Sequence, residues 1–141
     1  MTSANCIFCK VASGEIPSFG VLDEADAVAF LDIGPLTPGH TLLVPRAHYE
    51  SLLDVPPEVV SSLAGYLPKL GRAIVEATGA TGLNLLQNTG DSSGQAVFHL
   101  HFHLIPRQAG DGLGYRWNTT QYDRGKAESL QSSIQEALRR V

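Results

Sequence analysis

Several residue types that define large classes of protein are scarce in this chain of 141 residues. It contains two cysteines, one tryptophan and one methionine, and only 17% of its residues are charged. Cys6 and Cys9 are too few and too close together for the disulfide framework of a secreted domain. Ten basic and fourteen acidic residues give a net charge of -4, so the sequence offers no overall basic surface for a nucleic-acid polymer.

Long apolar runs are also missing. No stretch approaches the ~20 residues that cross a bilayer, and residues 1–5 carry neither the basic nor the apolar segment of a signal peptide. We therefore expect a soluble cytoplasmic protein without a membrane partner. The 43% of apolar residues are enough for a packed core, and the length fits a single domain over residues 1–141.

The apolar pattern predicts five strands. Each is a short run of apolar or β-branched residues bounded by turn residues, and only a three-residue polar turn separates the first two, as in a hairpin. The predicted strands span residues 19–23, 27–31, 41–44, 83–87 and 98–105.

Two helices complete the predicted fold. Between residues 57 and 78 apolar side chains recur every three or four positions, with start signals at Asp54 and the prolines after it and a stop at Gly79. Pro68 is expected to kink this helix because it lacks an amide donor. After a loop at residues 109–125, an apolar stripe predicts a terminal helix that docks on the domain or on a second subunit. Helices inserted among strands, rather than alternating with them, favour an α+β fold with an antiparallel sheet.

Three of the five histidines lie on the last predicted strand. His99, His101 and His103 alternate with apolar residues, and successive side chains of a strand point to opposite faces. The three imidazoles are therefore expected to share one face.

Three interpretations of this face compete. The first is that the histidines are structural or merely exposed, as isolated histidines usually are. Against it, three histidines in register on a strand whose opposite face is strongly apolar need partners. A catalytic zinc held by His-x-His is the second interpretation, although the large barrels that use it need about 250 residues. The third is a histidine nucleophile flanked by donors, because a neutral imidazole nitrogen can attack phosphorus or a carbonyl.

The pair Cys6-x-x-Cys9 is a weak signal by itself. A redox pair of the thioredoxin type would sit where a strand meets a helix, whereas this pair begins the chain. Its spacing is equally compatible with two free thiols and with two metal ligands.

The alternating histidines resemble the signature of the histidine triad (HIT) family, His-φ-His-φ-His-φ-φ with φ apolar, which residues 99–105 match without a gap. The likeness covers residues 6–107 and is to the bacterial Hint-like branch with a Cys-x-x-Cys zinc site. It implies a small α+β domain that forms a homodimer, with residues 108–141 as a C-terminal loop and helix. The other stretches that resemble the family are CIFCK (6–10), GEIP (14–17), FLDI (30–33), PGHTL (38–42), PRAHY (45–49), NTG (88–90) and GQ (94–95).

The resemblance also implies an activity. HIT proteins hydrolyse or transfer nucleotides at the α-phosphate, so we expect a purine nucleotide conjugate as substrate, either a nucleoside phosphoramidate or a dinucleoside polyphosphate. His101 would be the nucleophile and form a nucleotidyl-histidine intermediate. His103 and His40 would be the further catalytic histidines, at the phosphate or the leaving group. The implied nucleotide-binding residues are Phe8, Asp32, Ile33, Asn88, Gly94 and Gln95.

Two features depart from the family pattern: the residue at position 96 and the C-terminal stretch. Ala96 stands where the best-known nucleoside phosphoramidases have a hydroxyl residue near the phosphate, so one donor is lost there. Trp117 is similar to a family aromatic near the partner subunit's active site, or is a stray exposed residue. The stretch after residue 107 does not align cleanly.

The resemblance assigns the cysteine pair to a metal. Together with His48 and His99, Cys6 and Cys9 form a Cys₂His₂ set, and in similar bacterial HIT proteins the first triad histidine is a zinc ligand. Four protein ligands close a tetrahedral site, so the expected zinc is structural rather than catalytic. The sequence leaves open whether a divalent metal assists the reaction.

A nucleotide-binding regulatory module with incidental turnover is the alternative function. Tight nucleotide binding with negligible turnover would distinguish it from the enzyme. A structural zinc adaptor explains less, because it leaves His40, His101 and His103 without a role.

Overall fold

The computed structural model describes residues 3–114 and 119–141. Within them the five strands form one antiparallel sheet with the order β1-β2-β3-β5-β4, which confirms the predicted α+β fold. The helices are α1 (Ile7–Ala12), α2 (Pro57–Thr78) and α3 (Lys126–Leu138). The strands are β1 (Gly20–Asp23), β2 (Ala27–Leu31), β3 (Thr41–Pro45), β4 (Gly82–Leu86) and β5 (Phe102–Arg107), and a 3₁₀ turn lies at Asp91–Ser93.

The sheet has a separate apolar layer on each face. In one layer α2 packs against small and aliphatic residues of β2, β3 and β5. In the other layer α1 packs against the alternate residues of β2 and β3, which point to the opposite face of the sheet. Alternating residues of one strand thus face two different cores, as the period of two requires. The α2 layer contains Ala27, Ala29, Leu43, Leu63, Leu70, Ile74, Leu100 and Leu104; the α1 layer contains Cys6, Phe8, Cys9, Ala12, Val28, Phe30, Leu42 and Val44.

The long helix α2 has the predicted bounds and continues through Pro68. It ends at Gly79, whose φ of 67° is the left-handed conformation that favours glycine. Pro56, rather than Asp54, occupies the position before its first turn. The Asp54 carboxylate instead accepts hydrogen bonds from the main-chain nitrogens of Glu50 and Ser51, so it closes the preceding turn.

The last strand is shorter than predicted. β5 begins at Phe102, which pairs with Leu43, so His99 and His101 precede the strand. The main-chain nitrogen of Leu100 donates to the Tyr49 carbonyl instead of joining the ladder. Leu100 still faces the α2 layer, so the alternation of faces extends beyond the paired residues.

Helix α1 was not predicted. Its two turns bring Phe8, Cys9 and Ala12 into the sheet's second core, and the Cys6 thiol caps its first turn by accepting from the Cys9 nitrogen at 3.4 Å. The Arg46 side chain donates to the Ala12 carbonyl at the end of this helix. A six-residue helix leaves almost no periodic signal, and tertiary packing holds it in place.

The C-terminal helix α3 buries none of its residues in the chain. Leu130, Ile134 and Leu138 lie four residues apart on one side of it and are exposed. Docking on the chain's own domain, one of the two predicted placements, is therefore wrong for the described residues. Trp117 lies outside the described residues. No helix among those described is long and apolar enough to cross a membrane.

Candidate active site and metal centre

Three histidines converge where β3 and β5 pair. His40 immediately precedes β3, and His103 lies opposite Leu42 in the ladder. His40 Nε2 is 2.8 Å from His103 Nδ1, and the ring centroids of His101 and His103 are 4.9 Å apart. The sequence placed these residues in one site, and the structure brings them together.

Hydrogen bonds fix which nitrogen of each ring carries the proton. The Leu36 main-chain nitrogen donates to His40 Nδ1 at 3.1 Å, so neutral His40 is protonated at Nε2 and donates to His103 Nδ1. His103 is then protonated at Nε2. His101 Nδ1 lies 2.6 Å from the His99 carbonyl, to which only a protonated nitrogen can donate. The lone pair of His101 Nε2 is therefore free.

Burial keeps these rings neutral. Desolvation lowers the pKa of His103 to about 4 and lowers the pKa values of His40 and His101. The Asp32 carboxylate, 3.8 Å from His40 Nε2, opposes this shift in all three rings. At neutral pH His101 consequently has the unprotonated nitrogen that a nucleophile needs.

Two of the three predicted nucleoside-binding residues, Phe8 and Asp32, lie beside the histidines. The Phe8 ring packs edge-on against His101, with centroids 5.1 Å apart. Asp32 follows β2, and its Oδ1 accepts from the Gly34 nitrogen at 2.8 Å. Ile33 is 89% exposed, so its side chain is free to contact a ligand. Phe8 belongs to the core as well as to the rim of the site.

Asn88 and Gln95, the two predicted binding amides in the loop between β4 and the histidines, differ in their hydrogen-bond partners. Gln95 is buried, its Oε1 accepts from the Gly90 nitrogen, and its Nε2 donates to the carbonyls of Glu50 and Val97. This side chain therefore holds the loop together, a role that sequence reasoning missed. The Asn88 side chain has no hydrogen-bond partner among the described residues, so its amide remains available to a ligand. Gly94 has a φ of 96°, as a close main-chain approach would need.

The four predicted metal ligands form a second cluster of side chains. The ligand atoms of Cys6, Cys9, His48 and His99 all lie within 4.8 Å of one another. His99 Nδ1 is 3.3 Å from Cys6 Sγ, 3.5 Å from Cys9 Sγ and 3.3 Å from His48 Nδ1, and Cys9 Sγ is 3.4 Å from His48 Nδ1.

These distances fit a tetrahedral zinc ion. With Zn–S near 2.3 Å and Zn–N near 2.0–2.1 Å, ligand atoms should be about 3.3–3.8 Å apart. His99 Nε2 lies 2.8 Å from the Pro45 carbonyl and donates to it, so its Nδ1 lone pair points into the cluster. Two thiols and two imidazoles are the donor set that zinc prefers. The 2.8 Å contact between His40 and His103 is shorter than these spacings and is that of a hydrogen bond.

Comparison with known proteins agrees with this architecture. The profile of the HIT domain matches residues 13–110. The chain is 42% identical over 138 residues to the protein hit of Bacillus subtilis, covering 97% of this chain and 94% of that one. It is 37% identical over 143 aligned residues to the adenosine 5′-monophosphoramidase of Candida albicans, covering 98% and 94%.

Two solved structures extend the comparison. A crystal structure from Streptococcus mutans matches with a TM-score of 0.93 and 38% identity, over 97% of this chain and 87% of that chain. A zinc-bound histidine triad protein from Mycobacterium smegmatis matches with a TM-score of 0.75 and 34% identity, over 94% and 97%. Fold and site together define a small α+β domain of the histidine triad class. The chain belongs to the HIT family, as its sequence predicts.

Proposed function

We propose that this protein hydrolyses or transfers nucleotides at the α-phosphate of purine nucleotide conjugates, through a nucleotidyl-histidine intermediate on His101. Its relative in Candida albicans is named an adenosine 5′-monophosphoramidase, which supports a nucleotide hydrolase as the general class. A nucleoside phosphoramidate or a dinucleoside polyphosphate is the finer substrate class.

The observation that carries the proposal is the free Nε2 lone pair of His101. The protonated Nδ1 of His101 donates to the His99 carbonyl oxygen, 2.6 Å away, and the ring lies beside a donor, His103. A binding module needs donors for a phosphate but no nucleophile fixed in this way. The geometry therefore favours an enzyme over a regulatory module.

The reaction divides into two displacements. In the first, His101 Nε2 attacks the α-phosphorus; the N–P bond forms, and the bond from phosphorus to the leaving group breaks with its electron pair. In the second, water attacks the same phosphorus, loses a proton, and the N–P bond electrons return to His101. The His103 Nε2–H donates to a phosphoryl oxygen or to the leaving group, and His40 keeps His103 in that tautomer.

The rest of the site has the chemistry to hold a nucleotide. The Asp32 carboxylate can accept hydrogen bonds from ribose hydroxyls while Ile33 and Phe8 contact the base. Asn88 and the main chain at Gly94 face the phosphate in this arrangement. A missing hydroxyl donor at Ala96 shifts preference among leaving groups by about 1.5–3 kcal/mol of lost hydrogen bonding.

We also propose structural zinc at the Cys6, Cys9, His48 and His99 cluster. The zinc-bound relative from Mycobacterium smegmatis supports this, as do the ligand spacings. Bound there, zinc would cross-link α1 to the segment that leads into β5. Four protein ligands leave it no open position for chemistry.

A homodimer completes the proposal. The exposed stripe on α3 has no cover within its own described chain. A second copy of the chain is the cover that we propose for it. Cytoplasmic location and a single HIT domain over residues 1–141 remain predictions from the sequence.

Steady-state kinetics test the function. The measurement is kcat/KM for adenosine 5′-phosphoramidate and for diadenosine tetraphosphate, with the wild type and with His101→Ala. We expect turnover of at least one substrate, and a loss of about 10³-fold or more in the variant. Ser132→Ala on exposed α3 is the control and should match the wild type. Nucleotide binding without turnover would contradict the proposal and favour a regulatory module.

A further inference from the structure

His99 belongs to both centres of the molecule. Its imidazole lies in the Cys/His cluster, with Nδ1 toward the two thiols, and its main-chain carbonyl accepts from His101 Nδ1. The residue is completely buried. One residue therefore joins the expected zinc ligands to the nucleophile through a single hydrogen bond.

Few main-chain hydrogen bonds hold the segment around His99. The β3–β5 ladder begins only at Phe102, so no cross-strand pairing holds residues 99–101. Within this segment the main-chain hydrogen bond is that from the Leu100 nitrogen to the Tyr49 carbonyl. Leu100 is buried in the α2 layer on the opposite face, so the position of the His99 carbonyl depends on Leu100 and on what holds the His99 ring.

The Phe8 ring packs edge-on against that ring, with centroids 6.1 Å apart, and two polar contacts hold it further. Nε2 donates to the Pro45 carbonyl at 2.8 Å, and Nδ1 faces a cluster built from α1 and from His48. The first contact places the ring next to the end of β3. The second, together with Phe8, restricts its rotation, and does so most strongly when the cluster is joined into one unit.

We infer that His99 is a positioning residue that couples the Cys/His cluster to catalysis. When the cluster is joined by a metal, the His99 carbonyl is fixed and keeps the proton of His101 on Nδ1, leaving Nε2 free to attack. When it is not joined, the carbonyl shifts and the His101 tautomer is no longer defined. This inference rests on the proposed nucleophile. It adds that residues which never contact substrate control the tautomer of that nucleophile.

Nitrogen-15 NMR of the His101 ring tests the coupling without any turnover. The probe is zinc alone, added to protein depleted by a chelator, with circular dichroism to confirm that the fold persists. We expect a single Nδ1-protonated tautomer in the zinc-loaded protein and an averaged signal after depletion. The same Nδ1-protonated signal in folded, zinc-free protein would overturn the inference.

Substitution separates the ligand role of His99 from its other contacts. His99→Cys keeps a metal ligand and the main-chain carbonyl, whereas His99→Ala keeps only the carbonyl. We expect His99→Cys to retain zinc and a kcat within about tenfold of wild type, and His99→Ala to lose zinc and at least a further tenfold in kcat, both with little change in KM. A zinc-loaded His99→Cys as slow as His99→Ala would overturn the inference.

A third variant covers a failure of His99→Ala to fold. His48→Gln weakens the cluster from a different segment, and its kcat should follow zinc occupancy in a titration. A kcat independent of occupancy would contradict the coupling. Tyr66→Phe on α2 is the matched control: it removes the hydroxyl that donates to Asp26, which lowers stability, and it should leave kcat and the His101 signal unchanged.

These experiments also distinguish failure of the inference from failure of the proposed function. If the wild type turns over neither nucleotide, the proposed function fails, and the NMR result still decides the coupling. If turnover is normal but independent of zinc, the function stands and the coupling fails.

Discussion

Single side chains in this site have roles that depend on their hydrogen-bond partners more than on their residue type. His101 and His103 differ because one ring donates to a main-chain carbonyl and the other accepts from His40. Gln95 and Asn88 are both amides of one loop, yet Gln95 has all of its bonds inside the protein. These differences lead to predictions that alanine substitution can distinguish.

The first prediction concerns the two amides. Gln95→Ala leaves the Gly90 nitrogen and the Glu50 carbonyl without their partner, so it should lower the free energy of unfolding by about 1–3 kcal/mol. Asn88→Ala should leave stability within about 0.5 kcal/mol and raise KM for the nucleotide. Chemical denaturation and steady-state kinetics measure both. Equal stability of the two variants would contradict the assigned roles.

The second prediction concerns pH and stability. In the unfolded chain His103 has its ordinary pKa of 6.5, and burial lowers it to about 4 in the folded protein. His40 shifts the same way, and the neighbouring charge of Asp32 only partly opposes it. Between pH 6.5 and about 4 the unfolded chain therefore binds more protons, so the free energy of unfolding should fall as pH is lowered through this window.

Urea unfolding across that window checks the pH prediction. His103→Asn removes one of the titrating rings, so its stability should fall less steeply than that of the wild type. The proposed zinc ligands are the same in both proteins, so the difference in slope isolates His103. Parallel slopes would contradict the prediction.

At the scale of elements, the loop before β3 sets the position of His40. Gly39 has a φ of 93°, and a Cβ added there would lie 2.5 Å from Thr78 Cγ2 at the end of α2. Because Gly39 has no Cβ, the loop packs closely against the helix. The loop also accommodates the Leu36 nitrogen that donates to His40.

Gly39→Ala should therefore harm both stability and turnover. We expect a loss of about 1–3 kcal/mol from backbone strain and the clash, together with a lower kcat because His40 is displaced. Gly125→Ala is the control: its φ is 79°, but no atom lies within 4 Å of the added Cβ. That variant should lose stability from strain alone and keep kcat. A normal kcat in Gly39→Ala would show that the loop does not position His40.

The sequence predicted those elements whose signal is local. The 22-residue α2 and the hairpin of β1 and β2 have clear periodicity and clear end signals, and both formed as predicted. Helix α1 was missed because six residues contain too few apolar repeats, and its packing depends on strands far away in the chain. The start of β5 was misplaced because pairing with β3, rather than the apolar pattern, decides where the strand begins.

The candidate site was predictable for a different reason. An ordered set of motifs resembled one family, and that resemblance identified candidate ligands in distant segments, such as Cys9 and His48. The structure places their atoms together at 3.4 Å. The tautomers, and the structural role of Gln95, depend on individual hydrogen bonds that no sequence pattern encodes.

At the scale of the whole molecule, contacts within one chain do not explain the exposed apolar stripe of α3. The stripe of Leu130, Ile134 and Leu138 would remain in water in a monomer, and a 13-residue helix without packing is only marginally stable. A dimer that covers this stripe resolves both problems.

Ile134→Asp should therefore weaken the dimer. Sedimentation velocity of the wild type is expected to show a dimer, and the variant should shift toward monomer because an interfacial carboxylate would be buried without a partner. Ser132→Asp, on the opposite side of α3, is the matched control and should remain dimeric. A monomeric wild type, or a dimer unaffected by Ile134→Asp, would contradict this use of α3.

The central claim is the covalent intermediate on His101. Rapid acid-free quenching during turnover of adenosine 5′-phosphoramidate, followed by intact-protein and peptide mass spectrometry, tests it directly. The account predicts one adenylyl group attached to the peptide that contains His101, and its absence from His101→Ala. Turnover by the wild type with the nucleotide attached at another residue, or with the same adduct in His101→Ala, would contradict the account.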